Sequence, residues 1–320
     1  MAYVIGVGVG GTFTDAVLDD DAGTVVAAKS PSTPPDYSRG VLDVLELLAE
    51  QVGRPLPELL ADTHHIAHGT TSSLNALLTG SVPPVGFLTT QGHRDSIFIM
   101  NVEGRYLGRS PNELQNVLGQ AKDHSLLPKR HVLEITERID RDGTVIVALD
   151  EEGARAKIRT LLDDGVRAIA VSLLWSFRNP EHEQRLRELV AEQDPDVYVA
   201  LSSEVSPRIR DFARSATTIM STQIGPGLRD YLTELNDALR ARKLAGPLLV
   251  MQSNGGAVAA AEAPATAITT VVPCSPAAWS ARCSSAARSA IATSSPPTSA
   301  APRSSSASSS TASRCAPPPP

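Results

Sequence analysis

The run Gly6-Val7-Gly8-Val9-Gly10-Gly11-Thr12-Phe13-Thr14-Asp15 carries the residue types of a phosphate-binding turn. Glycines let an anion approach backbone N–H groups, threonine hydroxyls add donors, and a carboxylate can hold a metal-bound water or orient a nucleophile. Gly6, Gly8 and Gly11 also satisfy the spacing G-x-G-x-x-G. In a dinucleotide site that spacing opens a helix, and an acid about 20 residues on meets the ribose. Neither follows here. Thr12 to Leu18 is β-type sequence, the polar turn Asp19-Asp20-Asp21-Ala22-Gly23 comes next, and Val25, Val26 and Ala27 occupy the place of the acid. What is left is strand, glycine turn, strand. Gly10, Gly11, Thr12 and Thr14 are then candidate phosphate ligands, and Asp15 is a candidate catalytic carboxylate. An ordinary tight hairpin is the plainer reading of the same residues.

A second cluster, Thr63-His64-His65-Ile66-Ala67-His68-Gly69-Thr70-Thr71, invites a metal reading. On a strand, His64 and His68 share a face about 13 Å apart while His65 points the other way. Three such side chains cannot close on one zinc at bonds of about 2 Å. The segment reads better as a strand, a turn at Gly69, and a helix whose first turn is lined by Thr70, Thr71, Ser72 and Ser73. Free N–H groups and hydroxyls there suit an anion or a developing oxyanion, or simply cap the helix. Arg94-Asp95 is either a surface ion pair or a substrate-facing one, and Asn254-Gly255-Gly256 either a turn or a domain-closure element. No G-x-S-x-G and no C-x-x-C is present.

The elements that must position these residues alternate between strand and helix. Strands are predicted at residues 3–5, 15–18, 24–28, 64–68, 85–88, 168–173, 197–201 and 248–251. A helical apolar period runs through Val41, Leu42, Leu45, Leu48 and Val52, and a shorter helix is predicted over 72–78. Asp150 caps a helix that runs to Leu162 and closes at Gly165, and another spans 180–191. Two more are predicted at about 207–222 and 226–243. Residues 98–130 are polar and irregular. Alternation on this scale implies an α/β protein.

Composition changes abruptly near residue 272. Of the 48 residues from Pro273 to Pro320, 15 are Ser, 12 Ala and 9 Pro, with no Gly, Leu, Val, Lys, Asp or Glu. Such a stretch buries too little apolar surface to offset its ordering entropy, so disorder is predicted. It is a biased tail, or the product of a reading-frame error in GC-rich DNA. The chain as a whole has net charge -6, giving no electrostatic footprint for nucleic acid. No apolar run approaches the roughly 20 residues needed to span a bilayer, and the N-terminus lacks a basic flank. Cys274, Cys283 and Cys315 all lie in the tail, so the body is no disulfide scaffold and cytoplasm is the expected compartment.

The stretch Val7 to Asp15 resembles the opening of the hydantoinase A / 5-oxoprolinase family, relatives of the actin-like and sugar-kinase ATPases. The likeness continues through His68-Gly69-Thr70-Thr71 with Asn75, Thr89-Thr90-Gln91-Gly92-His93-Arg94-Asp95, and Glu137-Arg138-Ile139-Asp140 with Asp142-Gly143. It goes on through Ser176-Phe177-Arg178-Asn179-Pro180, Leu201-Ser202-Ser203-Glu204-Val205 and Met251-Gln252-Ser253-Asn254-Gly255-Gly256. The resemblance implies an incomplete actin-like ATPase (ribonuclease H-like) fold. It places an N-terminal hydantoinase/oxoprolinase domain over 1–180 and the start of a hydantoinase A/oxoprolinase domain over 195–272, ahead of the tail at 273–320. It further implies ATP and Mg2+ as cofactors, with Asp15, His68 and Thr70 in the chemistry and His68 as an acid, base or orienting group. Gly10, Gly11, Thr12, Thr14, Gly69, Thr71, Asn254 and Gly255 would line the nucleotide, and no residue is assigned to direct metal ligation.

Two departures from the family pattern stand out. The family usually has an aspartate where this chain has Gly8, an acid that helps hold magnesium through water, so metal-nucleotide binding should be weakened. Beyond Thr270 the family continues to a second Gly-Gly-Thr phosphate loop, which this chain replaces with its tail. The activity implied is ATP-dependent ring opening of a cyclic amide, alongside a hydantoinase B-type partner subunit. The rival is the β subunit of an acetone or acetophenone carboxylase acting on a ketone, to which Arg94-Asp95-Ser96-Ile97-Phe98-Ile99-Met100 is a little closer. A third reading is an inactive remnant.

Overall fold

The computed structural model describes residues 3–20, 22–99, 109–116 and 126–271. The expected disordered tail, and most of the stretch expected to be irregular over 98–130, lie outside the described residues.

The first sheet begins with β1 (Tyr3–Val9), β2 (Phe13–Asp20) and β3 (Val25–Pro31), an antiparallel meander. The turn into β3 forms because the Asp20 side chain accepts the N–H groups of Ala22 and Thr24, and Gly23 takes the left-handed φ of 84°. Helix α1 (Tyr37–Val52) follows, started by Asp36 accepting from the Arg39 N–H and stopped by left-handed Gly53. It lays Val41, Val44, Leu45 and Leu48 on the core beneath the meander. A short helix α2 (Leu56–Ala61) leads to β4 (Thr63–Thr70), which pairs parallel to β1. The far side of β4 receives β11 (Leu248–Met251), also parallel, and β12 (Ala257–Ala259) closes the edge. The sheet order is therefore β12-β11-β4-β1-β2-β3.

Between β4 and β11 the chain builds a second sheet. Helix α3 (Ser72–Thr79) leads to β5 (Val85–Thr90), which pairs in parallel with β6 (Val132–Ile135) on one side and β9 (Ala168–Ser172) on the other. Then β10 (Tyr198–Leu201) extends β9, giving the order β10-β9-β5-β6. A ribbon of β7 (Arg138–Ile139) and β8 (Val145–Val147) and helices α4 (Glu151–Asp163) and α5 (Glu181–Gln193) complete this part. The two sheets and the expected segments 1–180 and 195–272 divide the chain differently. The first sheet takes strands from both segments, and β9 and β10, which flank 180–195, lie in one sheet.

One helix joins the sheets. The two helices expected around 207–222 and 226–243 are a single α6 (Asp211–Ala241), about 46 Å long at 1.5 Å per residue, with Pro226 inside it. Its first half packs Phe212, Ala216 and Ile219 on the second sheet, and its second half packs Ile224, Leu228, Leu232, Leu235 and Leu239 on the first. Pro226 removes one helical hydrogen bond without ending the helix, because both halves are held by burial along their length. Gly225 fits because the Tyr198 ring passes there; a Cβ would stand 2.3 Å from the ring.

The motif residues of the second half meet at the carboxyl edge of the second sheet. Buried Glu137 accepts from the Thr90 hydroxyl and from the His182 ring, the latter at 2.8 Å. Buried Glu183 takes the Leu173 N–H, the Ser202 hydroxyl and the Ser203 N–H, while Ser176 and Ser202 bond each other at 3.0 Å. Both carboxylates are well supplied with donors, so these residues brace strand ends to helices.

Candidate functional site

The parallel strands β1, β4 and β11 end on one edge of the first sheet, where an open α/β sheet normally receives its ligand. Three loops leave that edge: Gly10 to Thr12, Thr71 into α3, and Gln252 to Gly256. The pairing of Val9 with Thr70, and of Val250 with His68, sets them at the same level.

The glycine turn runs directly from β1 into β2, with no helix after it, as the β-type residues Thr12 to Leu18 predicted. The Gly10 N–H closes the turn on the Phe13 carbonyl at 2.9 Å. Ser32 braces it from below, its hydroxyl donating to the Gly10 carbonyl at 2.8 Å and its N–H to the Thr12 carbonyl at 2.9 Å. Thr14 is buried and its hydroxyl donates to Ser32 at 3.1 Å, so it supports the turn from the core side. The N–H groups of Gly11 and Thr12 and the Thr12 hydroxyl have no hydrogen-bond partner among the described residues, and both residues are exposed. Unpartnered amides on a tight turn suit an anion.

Helix α3 starts beside this turn. The Thr71 N–H and hydroxyl both reach the Val9 carbonyl, at 3.1 and 3.3 Å. The Thr70 oxygen accepts the Ser72 N–H at 3.1 Å and its hydroxyl donates to Ser72 Oγ at 3.0 Å. One turn on, the Asn75 amide nitrogen stands 3.8 Å from the point where a Cβ on Gly11 would be. Asn75 is thus a donor at the turn. Its spacing, four residues after Thr71 on the same helix face, was the signal available for it.

The third loop is a hairpin turn between β11 and β12. Asn254 Oδ1 accepts the Gly256 N–H at 2.8 Å, the Gly255 N–H bonds the Gln252 carbonyl at 3.0 Å, and Gly255 has φ 88°. Asn254 and Gly255 are exposed there, with a turn's bonding pattern.

Strand pleating separates the remaining candidates. Gly8 pairs with Asp15 on β2 and Gly69 on β4, so these three share the face opposite the core cluster of Val7 and Val9. Asp15 also pairs with Lys29 on β3, and their side chains form an ion pair of 2.9 Å. His68, one residue before Gly69, lies on the core face, fully buried, with Nε2 2.8 Å from the Tyr231 hydroxyl on α6. Burial pushes its pKa down to about 4, only partly offset by the backbone of Val7, so the ring is neutral near pH 7. It faces away from the free donors of the turn and can act there only by positioning β4.

The histidine cluster departs from the expected alternation. Tyr3 pairs with Thr63 but Val4 with His65, leaving His64 as the extra residue of a bulge. A bulge breaks the alternation of faces, and the His64 and His65 rings meet edge to face with their Nδ1 atoms 2.9 Å apart. Among the described residues no three His, Cys, Asp or Glu side chains are grouped to hold a metal ion. Arg94 and Asp95 each turn to Lys129: the guanidinium donates to its carbonyl at 2.8 Å, and the carboxylate pairs with its ammonium at 2.7 Å.

A glycine hairpin at the carboxyl edge of a meander-plus-parallel sheet is the architecture of the actin-like fold. Similarity narrows this further. The family model for the hydantoinase/oxoprolinase N-terminal region matches residues 4–194, and that for hydantoinase/oxoprolinase matches 214–288, running past the compositional break. The chain belongs to the hydantoinase/oxoprolinase family. It is 38% identical over 267 residues to the acetophenone carboxylase gamma subunit of Aromatoleum aromaticum, covering 82% of this chain and 36% of that one. It is 35% identical over 254 residues to caprolactamase subunit alpha of Pseudomonas jessenii, covering 79% and 36%. The nucleotide-free structure of acetone carboxylase, described as ATP-dependent, superposes with a TM-score of 0.77 at 28% identity, over 84% of this chain and 38% of that one. The chain thus spans little more than a third of the length of these three relatives. No described helix is long and apolar enough to cross a membrane.

Proposed function

We propose that this chain supplies a nucleotide-phosphate lobe of an ATP-dependent enzyme that activates the oxygen of a cyclic amide before ring opening. The observation that carries the reading is the pair of unpartnered N–H groups at Gly11 and Thr12, on an exposed turn between two strands. In this chemistry a lactam or imide oxygen attacks the terminal phosphorus of ATP and ADP leaves. Water then adds to the activated carbon, the ring C–N bond breaks with its electron pair leaving on the amine nitrogen, and the acyl phosphate so formed is hydrolysed by a second water to carboxylate and phosphate. The turn's share is to bind and orient phosphate oxygens while Asn75, Thr70 and Thr71 line the neighbouring helix start. Asn254 and Gly255 would close over the nucleotide from the third loop. Gly10 and Gly69 would keep the backbone clear beneath it.

The donor set fits a nucleotide's phosphates better than it fits Mg2+. Gly8 offers no oxygen, and Asp15, the carboxylate nearest the turn, is held by Lys29. A second reading, phosphorylation of a ketone's enolate oxygen, is favoured by the 38% identity to a carboxylase subunit. A third, an inactive remnant, is favoured by Gly8. Several relatives are named as subunits, so a partner of the hydantoinase B type is proposed. The cysteine-free body is compatible with the cytoplasm.

The test is isothermal titration of this chain with ATP. Saturable binding that a lactam does not displace supports the nucleotide lobe, whereas no heat at any concentration supports the remnant.

A further inference from the structure

ATP would bring negative charge to a turn that has the Asp15 carboxylate beside it and lacks a metal's ligands. We propose that Lys29, by neutralising Asp15, does the part a divalent cation would otherwise do, and that the turn binds phosphate without such a cation. This rests on the nucleotide reading and adds to it a residue and a property.

The strand register places Lys29 on the same face as Asp15. Gly8, Asp15 and Lys29 lie side by side on β1, β2 and β3, so their side-chain positions share the face that the turn crowns. The Lys29 ammonium is 2.9 Å from Asp15 Oδ1 and 4.6 Å from the centroid of the Phe13 ring. Phe13 is the residue that ends the turn, and the Gly10 N–H is bonded to its carbonyl. The lysine therefore reaches from its own strand toward the turn, and Asp15 and Phe13 together hold it there. Its side chain keeps 55% of its exposure, so the ammonium is open to a ligand.

The charges then add up in a particular way. An unpaired Asp15 would repel phosphate two residues from Phe13, and a hard cation would be needed to neutralise it. Lys29 neutralises it already. It also occupies the carboxylate that a hydrated metal would use, while Gly8 supplies nothing in exchange. With Asp15 answered by Lys29, the free N–H groups of Gly11 and Thr12 face an incoming anion without a net negative neighbour.

Titration of ATP into the protein in excess EDTA, and again in excess Mg2+, tests this. The two affinities are expected to agree within about threefold, and Lys29→Met to weaken binding in EDTA by about tenfold or more, because the bared Asp15 carboxylate then repels the phosphates. Removing both charges in Asp15→Asn/Lys29→Met should restore part of that loss. Lys29 is half exposed, so thermal melts of the variants should stay near that of the parent and show that folding is not the cause. Binding by the parent only with Mg2+, or a Lys29→Met affinity unchanged in EDTA, overturns the inference and leaves the nucleotide reading standing. Absence of binding under both conditions overturns both.

Discussion

Gly8 and Asp15 are direct cross-strand partners, on the same face of the hairpin that carries the glycine turn. A side chain placed at residue 8 must therefore stand beside the Asp15 carboxylate, about 5 Å away at Cβ. Gly8→Asp would set two carboxylates side by side, with the only lysine of the three positions on the far side of Asp15. The variant is expected to acquire magnesium dependence: ATP binding weaker than the parent's in EDTA and stronger in excess Mg2+. Titration calorimetry under the two conditions reads this directly. Equal binding in both would show that the hairpin face does not govern the metal requirement.

His68 gives the fold a pH dependence. Its pKa is about 4 in the folded chain, against 6.5 for an exposed histidine. Below 6.5 the unfolded chain takes up a proton that the folded chain refuses, so stability falls as pH drops from 6.5 towards 4 and the loss is complete beneath that. A shift of this size corresponds to about 3 kcal/mol. His65, lowered by burial and by its neighbour His64, adds in the same direction. Urea denaturation at several pH values should show the slope, and His68→Gln should flatten most of it while leaving Tyr231 a partner. A slope unchanged in that variant would assign the dependence elsewhere.

Gly225 tests the bridge between the sheets. Because a Cβ there would stand 2.3 Å from the Tyr198 ring, Gly225→Ala is expected to destabilise the protein by roughly 1–3 kcal/mol, despite alanine's better helix propensity. Thermal melting measures the balance. A stabilised variant would mean that α6 can move away from β10 at no cost.

Much of this was legible in the residue order. The glycine turn declared itself because β-type residues follow Gly11 and no helix-forming run does, and α1 through its apolar period. Other features needed partners distant in sequence. The Gly225-Pro226 pair reads as a helix break, and only the packing of both halves on two sheets carries α6 through it. Whether His68 or Gly69 faces the turn depends on strand parity, and the bulge at His64 upsets any count of parity from that end of β4. Lys29 is unremarkable in sequence. Its relation to Asp15 is created by the register of β2 on β3, which turn chemistry around Asp20 and Gly23 fixes from the opposite end of the hairpin.

The most direct test of the phosphate-binding turn is the amide spectrum of the 15N-labelled protein titrated with ATP. The account predicts saturable downfield shifts of the Gly11 and Thr12 N–H resonances, with the Asn75 side-chain amide following. The Gly23 amide serves as a turn glycine for comparison and, at the far end of the hairpin, should not move. Saturable shifts elsewhere with Gly11 and Thr12 unmoved would contradict it.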